Sequence, residues 1–469
     1  TGDLEECTSD VHATDPKVSG NTGSGCLIGY YILKQPLGRC QKVSGFFLHH
    51  TTTAVYFQST TQRLVVSDNV LVDNSVALYT VHAGPNAESK RYDPKASVTY
   101  KNNIIVGRSE HWQCGVDDEV SQILTMGGFG PGTASVRDHA AIVGTDFLGK
   151  YNKFPGKPMY KAFVKTPAIY GRTCVLGNAF TKFDGRCGNR DVIFSSNSMM
   201  EDYSHPTYFK EGNTFDNSVD DITHVAKFMR PSTKLVNIAD CVDLHCDGHK
   251  KQLIIDETGA LLGTPGLLHS ESEYKWEGVT RNGHTYTDTR PGFGDYRIPK
   301  GMLTTLDGDR IPVDDYAPEK GVVRDENCSY EPDLPGWKCS DSLKMFMMNY
   351  QFMDVDHMVR RVAPLAIRSE TGYIDIINGP ADHSCCIGYA CSLRLMTLHS
   401  TVACGQDYDY YFSSTTPLKA KWYFTDAPAD CKILVKFYSK RPNRMNFFKD
   451  GQLSLATNAV IIGDSISWS

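Results

Sequence analysis

The residues best equipped for chemistry lie in the first half of the chain: His49-His50, His82, Arg108, Glu110-His111, and Arg137-Asp138-His139 with Asp146 close behind. Glycoside hydrolysis needs an acid and a second carboxylate flanking the scissile bond, about 5–10 Å apart. A polysaccharide lyase instead needs a base near the C5 proton and a cation to neutralise the uronate. Glu110 with Arg137, Asp138 and His139 contains those residue types, so these four are the catalytic candidates. The plainer reading is a set of solvated turn residues and surface ion pairs, each contributing little. Charged turn residues are common, and the plainer reading outweighs the enzymatic one.

A second cluster, Asp240-Cys241-Val242-Asp243-Leu244-His245-Cys246-Asp247-Gly248, admits two metal readings. Asp240, Asp243 and Asp247 are oxygen ligands of the kind calcium takes. Cys241, His245, Cys246 and His249 are ligand types for zinc. Neither spacing is standard. The calcium loop lacks a Glu at its twelfth position, and zinc ligands packed so closely in sequence would be strained. A Cys241–Cys246 disulfide closing a tight loop is simpler and is compatible with calcium, so no cofactor is required. Asp307 and Asp309 form an Asp-Gly turn and receive no ligand role. The glycines of 127–132 have Pro131 among them and no helix following, which makes a surface loop rather than a nucleotide cradle. His383 and Cys385 match a thiol nucleophile in residue type alone.

Fifteen cysteines mark an oxidising compartment. Many form close pairs among turn residues: Cys26/Cys40, Cys174/Cys187, Cys241/Cys246, Cys328/Cys339 and Cys386/Cys391. The odd count leaves at least one thiol free or joined to another chain. A single N-glycosylation sequon, Asn327-Cys328-Ser329, falls in a polar turn.

The chain that must position these groups has 469 residues, enough for about three domains. Its formal charge of −6 gives no general attraction to phosphate backbones or anionic membranes. Hydrophobic residues make up 41% and charged residues 22%, ordinary globular usage. No apolar run is long enough to span a bilayer. The opening TGDLEECTSD is polar, unlike a signal peptide, and the chain reads as a mature or excised piece of something longer.

Helical periodicity is scarce. Short runs rich in Val, Ile, Phe and Tyr, broken by Gly, Asn, Asp or Pro, predict an all-β fold. A weak repeat places an Asn before an apolar residue at Asn69, Asn103, Asn178, Asn197 and Asn213. The short intervals, Asn178 to Asn197 and Asn197 to Asn213, match one turn of a parallel β-helix. The long interval from Asn103 to Asn178 would then hold several turns. Stacked coils would ladder equivalent Asn side chains at a bend. From about residue 236 the texture becomes turn-rich, and after 343 short strands alternate apolar and polar residues, as in 432–437. That rhythm predicts an antiparallel sandwich. The expected organisation is 1–235 right-handed parallel β-helix, 236–342 β-rich connecting domain, and 343–469 sandwich.

The ordered strings ADCVDLHCDGHKK, GDYRIPKGMLTTLDGDRIPV and YIDIINGPADHSCCIGYAC resemble the fibrocystin and fibrocystin-L family. AAIVGTDF, KYNKFPGKP, TPAIYG and RCGNRDVIF, followed by His205-Pro206, add to the resemblance, which covers most of 98–440. It points to the ectodomain stretch where a G8 domain leads into parallel β-helix repeats. Cys386 and Cys391 match the family's Cys-x4-Cys; Cys385 departs from it, with Cys404 the partner then open to it. The resemblance implies a glycosylated protein of cell surfaces, cilia or stereocilia, reached through the secretory pathway. Its partners would be extracellular glycans or proteins, or further copies of itself, with membrane contact only through parts outside this chain. Related β-helix proteins include hyaluronidases, so polysaccharide cleavage is the alternative, by fold kinship alone. The expected function is therefore a structural or adhesive ectodomain.

Overall fold

The structure, a computed structural model, describes residues 12–13, 19–32, 41–60, 64–74, 76–82, 97–114, 140–143, 172–183, 191–194, 206–216, 223–224, 250–272, 280–281, 284–285, 304–305, 307, 309, 325–331, 336–352, 365–369, 372–377, 396–412, 420–425, 427–438, 446, 448–449, 452–453, 459–462 and 465–468. Among these the chain is all-β, and no helix is long and apolar enough to cross a membrane. Two compact units form. The first comprises Thr1–Met229, Lys250–Ser272 and Asn327–Ser342; the second comprises Arg230–His249, Glu273–Glu326 and Leu343–Ser469. Residues 236–342, read as one connecting domain, are thus divided between the two.

The first unit is a parallel β-helix. Coil 1 consists of His12–Ala13, Thr22–Ser24 and Ile28–Ile32; coil 2 of Gln41–Ser44, Phe47–His49 and Thr53–Thr60. Leu64–Ser67, Val70–Val72 and Val76–His82 make coil 3, and Ser97–Lys101, Ile104–Val106 and Ala140–Val143 make coil 4. Coil 5 is Arg172–Leu176, Ala179–Thr181 and Asp191–Phe194; coil 6 is Thr207–Phe209, Thr214–Asp216 and Thr223–His224. Each coil adds one strand to each of three sheets. The strands are short because the chain must turn soon after each begins, and the turning residues tolerate a left-handed backbone. Gly20, Gly45, Asp68, Asn102, Gly177 and Gly212 all have positive φ at the bend between the first and second sheets. At Gly177 a Cβ would also lie 2.5 Å from Oδ1 of Asn102, so that side chain would have to move.

Inward-facing side chains stack in register. Val43, Val66, Tyr100, Val175 and Phe209 line the first sheet. Leu48, Leu71, Ile105, Phe180 and Phe215 line the second, with the Phe180 and Phe215 rings stacked at 5.1 Å. Burying each such side chain stabilises the fold by roughly 1.5–3 kcal/mol, which no coil achieves alone.

The asparagines do ladder. Asn69, Asn103, Asn178 and Asn213 follow the left-handed bend residues of successive coils and are buried. Oδ1 of Asn103 accepts from N–H of Asn69 (3.1 Å) and from its Nδ2 (2.9 Å). Nδ2 of Asn103 donates to Val66 O (2.9 Å) and to Oδ1 of Asn178 (2.9 Å). Asn178 repeats the pattern with Asn213. Coil 2 has Phe46 at this position, and its N–H donates to Asn69 Oδ1 (3.0 Å). Two readings of the repeat are corrected by these bonds. Asn103 bonds directly to Asn178, so that long interval is a single coil and does not hold several turns. Asn178 bonds directly to Asn213, so no rung lies between them; Asn197 is outside the described residues. The error came from taking the short intervals on either side of Asn197 as the coil length, when the length of chain between strands differs from coil to coil.

The stack ends on a buried carboxylate. Lys250–Asp256 adds a seventh parallel strand to the first sheet, and the chain then reverses into the antiparallel strands Gly266–Ser272, Gly336–Ser340 and Ser329–Glu331. Asp256 stands in register with Phe209, in the row of core side chains, and is fully buried. Its Oδ1 accepts from Gly259 N (2.9 Å), and its Oδ2 from Leu261 N and Leu262 N (both 2.8 Å). Those bonds fix the turn at which parallel stacking stops.

The second unit contains a three-stranded sheet, with Met345–Phe352 between Met396–Ala403 and Ala420–Thr425, and a six-stranded sheet. The six-stranded sheet runs Gly372–Ile377, Leu365–Ser369, Asp407–Phe412, Leu434–Tyr438, Ser465–Trp468, Ala459–Ile462. It is mixed, since Asp407–Phe412 and Leu434–Tyr438 pair in parallel. The chain between them visits the other sheet as Ala420–Thr425, and such a crossover returns a strand in the same direction. Tyr408 makes a corner at the start of its strand. Ala403 N donates to its hydroxyl (2.8 Å), which in turn donates to Ala403 O (3.3 Å). A Cys404–Cys431 disulfide ties the same turn.

Candidate binding face on the coil stack

From coil 2 onward the second sheet turns the middle side chain of each strand inward, with Gly23 at that place in coil 1, leaving two outward rows. One row is Thr22, Phe47, Val70, Ile104, Ala179, Thr214; the other is Ser24, His49, Val72, Val106, Thr181, Asp216. Successive members lie about 4.8 Å apart, the spacing of hydrogen-bonded strands. The middle of the face is apolar and its ends are polar. Phe47 is 41% exposed and Ile104 47%, well above what an isolated core-forming strand requires. A contiguous apolar strip with a polar rim is the usual mark of a binding surface.

One border of the face is an aromatic column. Phe47 stacks on His49 (4.9 Å), and His49 Nδ1 lies 3.0 Å from His50 Nδ1. His50 stacks on Trp112 (5.5 Å), and the Arg108 guanidinium sits 3.9 Å from the Trp112 ring centre. The bend beneath is held by a second set of side-chain bonds. Asn74 Oδ1 accepts from Thr51 N (3.0 Å) and Oγ1 (2.8 Å), its Nδ2 donates to Leu48 O (3.0 Å), and Asp73 Oδ1 accepts from Ser109 N (2.7 Å). His50 and Asp73 hold their left-handed turns at φ 53°. The result is a rigid ridge presenting imidazole edges beside an apolar strip. Such a surface suits stacking against the C–H faces of sugar rings or against apolar side chains, with imidazoles to hydrogen-bond hydroxyls.

The predicted chemical residues are distributed unevenly over this region. His49 and His50 sit on the ridge, and Glu110 and His111 are exposed in the loop beyond it. Arg108 is 1% exposed: its Nη1 donates to Asn74 O and Gly107 O (3.1 Å each), so it braces the bend and does not reach out to neutralise a uronate. His82 ends its strand in coil 3. Arg137, Asp138, His139 and Asp146 lie outside the described residues, as do Asp240, Asp243, Asp247, Cys241 and Cys246. Among the described residues no three His, Cys, Asp or Glu converge as metal ligands.

Cysteine placement is mixed. Cys328 and Cys339 are bridged. Cys26 is an exposed thiol and Cys174 a buried thiol, not half-cystines; Cys40 and Cys187 lie outside the described residues. Cys174 is fully buried, in register between Thr99 and Tyr208. Cys404 pairs with Cys431, which removes it as a partner for Cys385. Cys385, Cys386 and Cys391 lie outside the described residues. Sequence reasoning missed Asp73, Asn74, Trp112 and Asp256. The one local signal was Asp73-Asn74 following a short apolar strand, the same grammar as Asp68-Asn69.

No protein-family profile matches the chain. Human fibrocystin-L is 32% identical over 458 residues, covering 96% of this chain and 10% of the relative. Mouse fibrocystin-L is 32% identical over 462 residues, covering 97% and 10%. The chain therefore spans about a tenth of the length of the curated relatives it matches. Likeness running through both compact units, together with the ordered motifs, assigns this chain to the fibrocystin-L family.

Proposed function

We propose that this chain is an extracellular, cell-surface stretch of a large protein, with its coil stack acting as a stiff scaffold that presents the second sheet's outer face to extracellular glycans or proteins. The relatives and the Cys328–Cys339 and Cys404–Cys431 disulfides support the compartment. The apolar strip of Phe47, Val70, Ile104 and Ala179 beside the His49–His50 ridge carries the binding role. The exposed apolar strip beside the imidazole ridge favours an adhesive role over a catalytic one.

The test is binding of the purified chain to immobilised hyaluronan and other acidic polysaccharides, with polymer length followed by light scattering. A Phe47→Ser/Ile104→Ser variant alters only outward-facing side chains. It is expected to weaken binding about tenfold or more, in line with losing roughly 1.5–3 kcal/mol of apolar burial. Equal binding by the variant would remove this face from the role. Shortened polymer would replace adhesion with depolymerisation, and would direct attention to Glu110, Arg137, Asp138 and His139.

A further inference from the structure

We propose that Asn327 carries an N-linked glycan that covers the outermost strand of the ten-stranded sheet and so prevents that edge from pairing with another chain. The sheet runs from His12–Ala13 to Ser329–Glu331. Among the described strands, Ser329–Glu331 pairs on one side only, with Gly336–Ser340. On its other side no described strand pairs with it, and the unpaired backbone N–H and C=O groups of such an edge are a template for edge-to-edge association.

Three features already blunt that edge. The strand has three residues, the Cys328–Cys339 bridge pins its start to the neighbouring strand, and Glu326, Asn327 and Ser329 are all exposed. Asn327-Cys328-Ser329 is a complete acceptor sequence, the one such sequence in the chain, and it sits in the turn that leads directly into the edge strand. A branched sugar chain so close to Ser329 is bulky and hydrated enough to exclude an incoming strand.

The reaction is a simple transfer. The Asn327 side-chain nitrogen bonds to the anomeric carbon of a lipid-linked pyrophosphoryl oligosaccharide. The bond from that carbon to the phosphate oxygen breaks, the amide gives up a proton, and the lipid pyrophosphate departs. Nothing is oxidised or reduced. The donor belongs to the secretory lumen, which also oxidises Cys328 and Cys339, so the proposal rests on the extracellular reading above.

The experiment is secretion of the full chain from cultured eukaryotic cells, peptide mapping by mass spectrometry, and light scattering before and after enzymatic removal of N-glycans from the folded protein. The expected result is a glycan on the Asn327 peptide, a monomer before deglycosylation, and dimers or larger species after it. Asn327→Gln and Ser329→Ala, which abolish the acceptor by different residues, are expected to associate likewise. Adding Ser329→Lys to Asn327→Gln is expected to restore the monomer, since a charge on the edge strand is itself a block. A secreted, disulfide-bonded protein with bare Asn327 would overturn the proposal alone. So would a glycosylated protein that stays monomeric when stripped. Retention in the cytosol with reduced cysteines would overturn the extracellular reading as well.

Discussion

Asn69, Asn103 and Asn178 each serve both neighbouring coils with one amide. In Asn103 the oxygen takes two donors from Asn69, and the nitrogen reaches Val66 O and Asn178 Oδ1. Asn103→Ala strands several buried polar groups at once, and each uncompensated group costs roughly 1–3 kcal/mol. The expected loss is about 2–4 kcal/mol, read as a lower midpoint in denaturant unfolding; an unchanged midpoint would show that the ladder is ornament on a stack held by its core. Asp256 makes a comparable case at a single site, because its carboxylate alone fixes the backbone of the reversing turn. Asp256→Ala should cost a similar amount and raise protease cleavage within 257–265, which mass mapping of the fragments would detect. The ladder was partly legible in sequence, since an Asn between a turn former and an apolar residue is visible at Asn69 and Asn178. Asp256 was not. An Asp at a strand end reads as an ordinary turn residue until register places it in a core row.

At the level of elements, unequal spacing between strands hid the repeat that strands define. Three strands per coil recur faithfully, yet the whole of 107–139 separates Val106 from Ala140, where coil 2 starts its next strand at Thr53, close after His49. No fixed period survives that variation, so counting residues gave false coil lengths while apolar alternation gave correct strands. Val435 and Phe437 are buried between half-exposed neighbours, as their alternation predicts. Parallel pairing of that strand with Asp407–Phe412 was not legible, because pairing partners depend on the crossover between sheets. The corner at Tyr408 adds a dependence on pH. Burial pushes its phenol well above the ordinary tyrosine value of 10, and the hydrogen bond from Ala403 N offsets this only in part. The folded state thus favours the protonated form. Its contribution is complete below pH 10 and is lost as pH rises through the higher folded value. Tyr438, raised by burial and then by its bond to Asp409, acts in the same direction. Melting temperature is expected to fall above pH 10, and to fall less steeply in Tyr408→Phe; parallel slopes would assign the effect to other tyrosines.

For the molecule as a whole, the stacking geometry decides how the first unit answers a mechanical load. Backbone bonds between coils run along the stacking axis, so tension on that axis loads them in line and coils detach singly from an end. Each detachment releases the chain between equivalent rungs. Those segments differ, being 34, 75 and 35 residues. With disulfides reduced and fully drawn out, the longest gives roughly 250 Å of slack and each of the others about 120 Å. A tether built this way yields in unequal steps, and the uneven spacing that obscures the repeat in sequence sets how far it extends at each one.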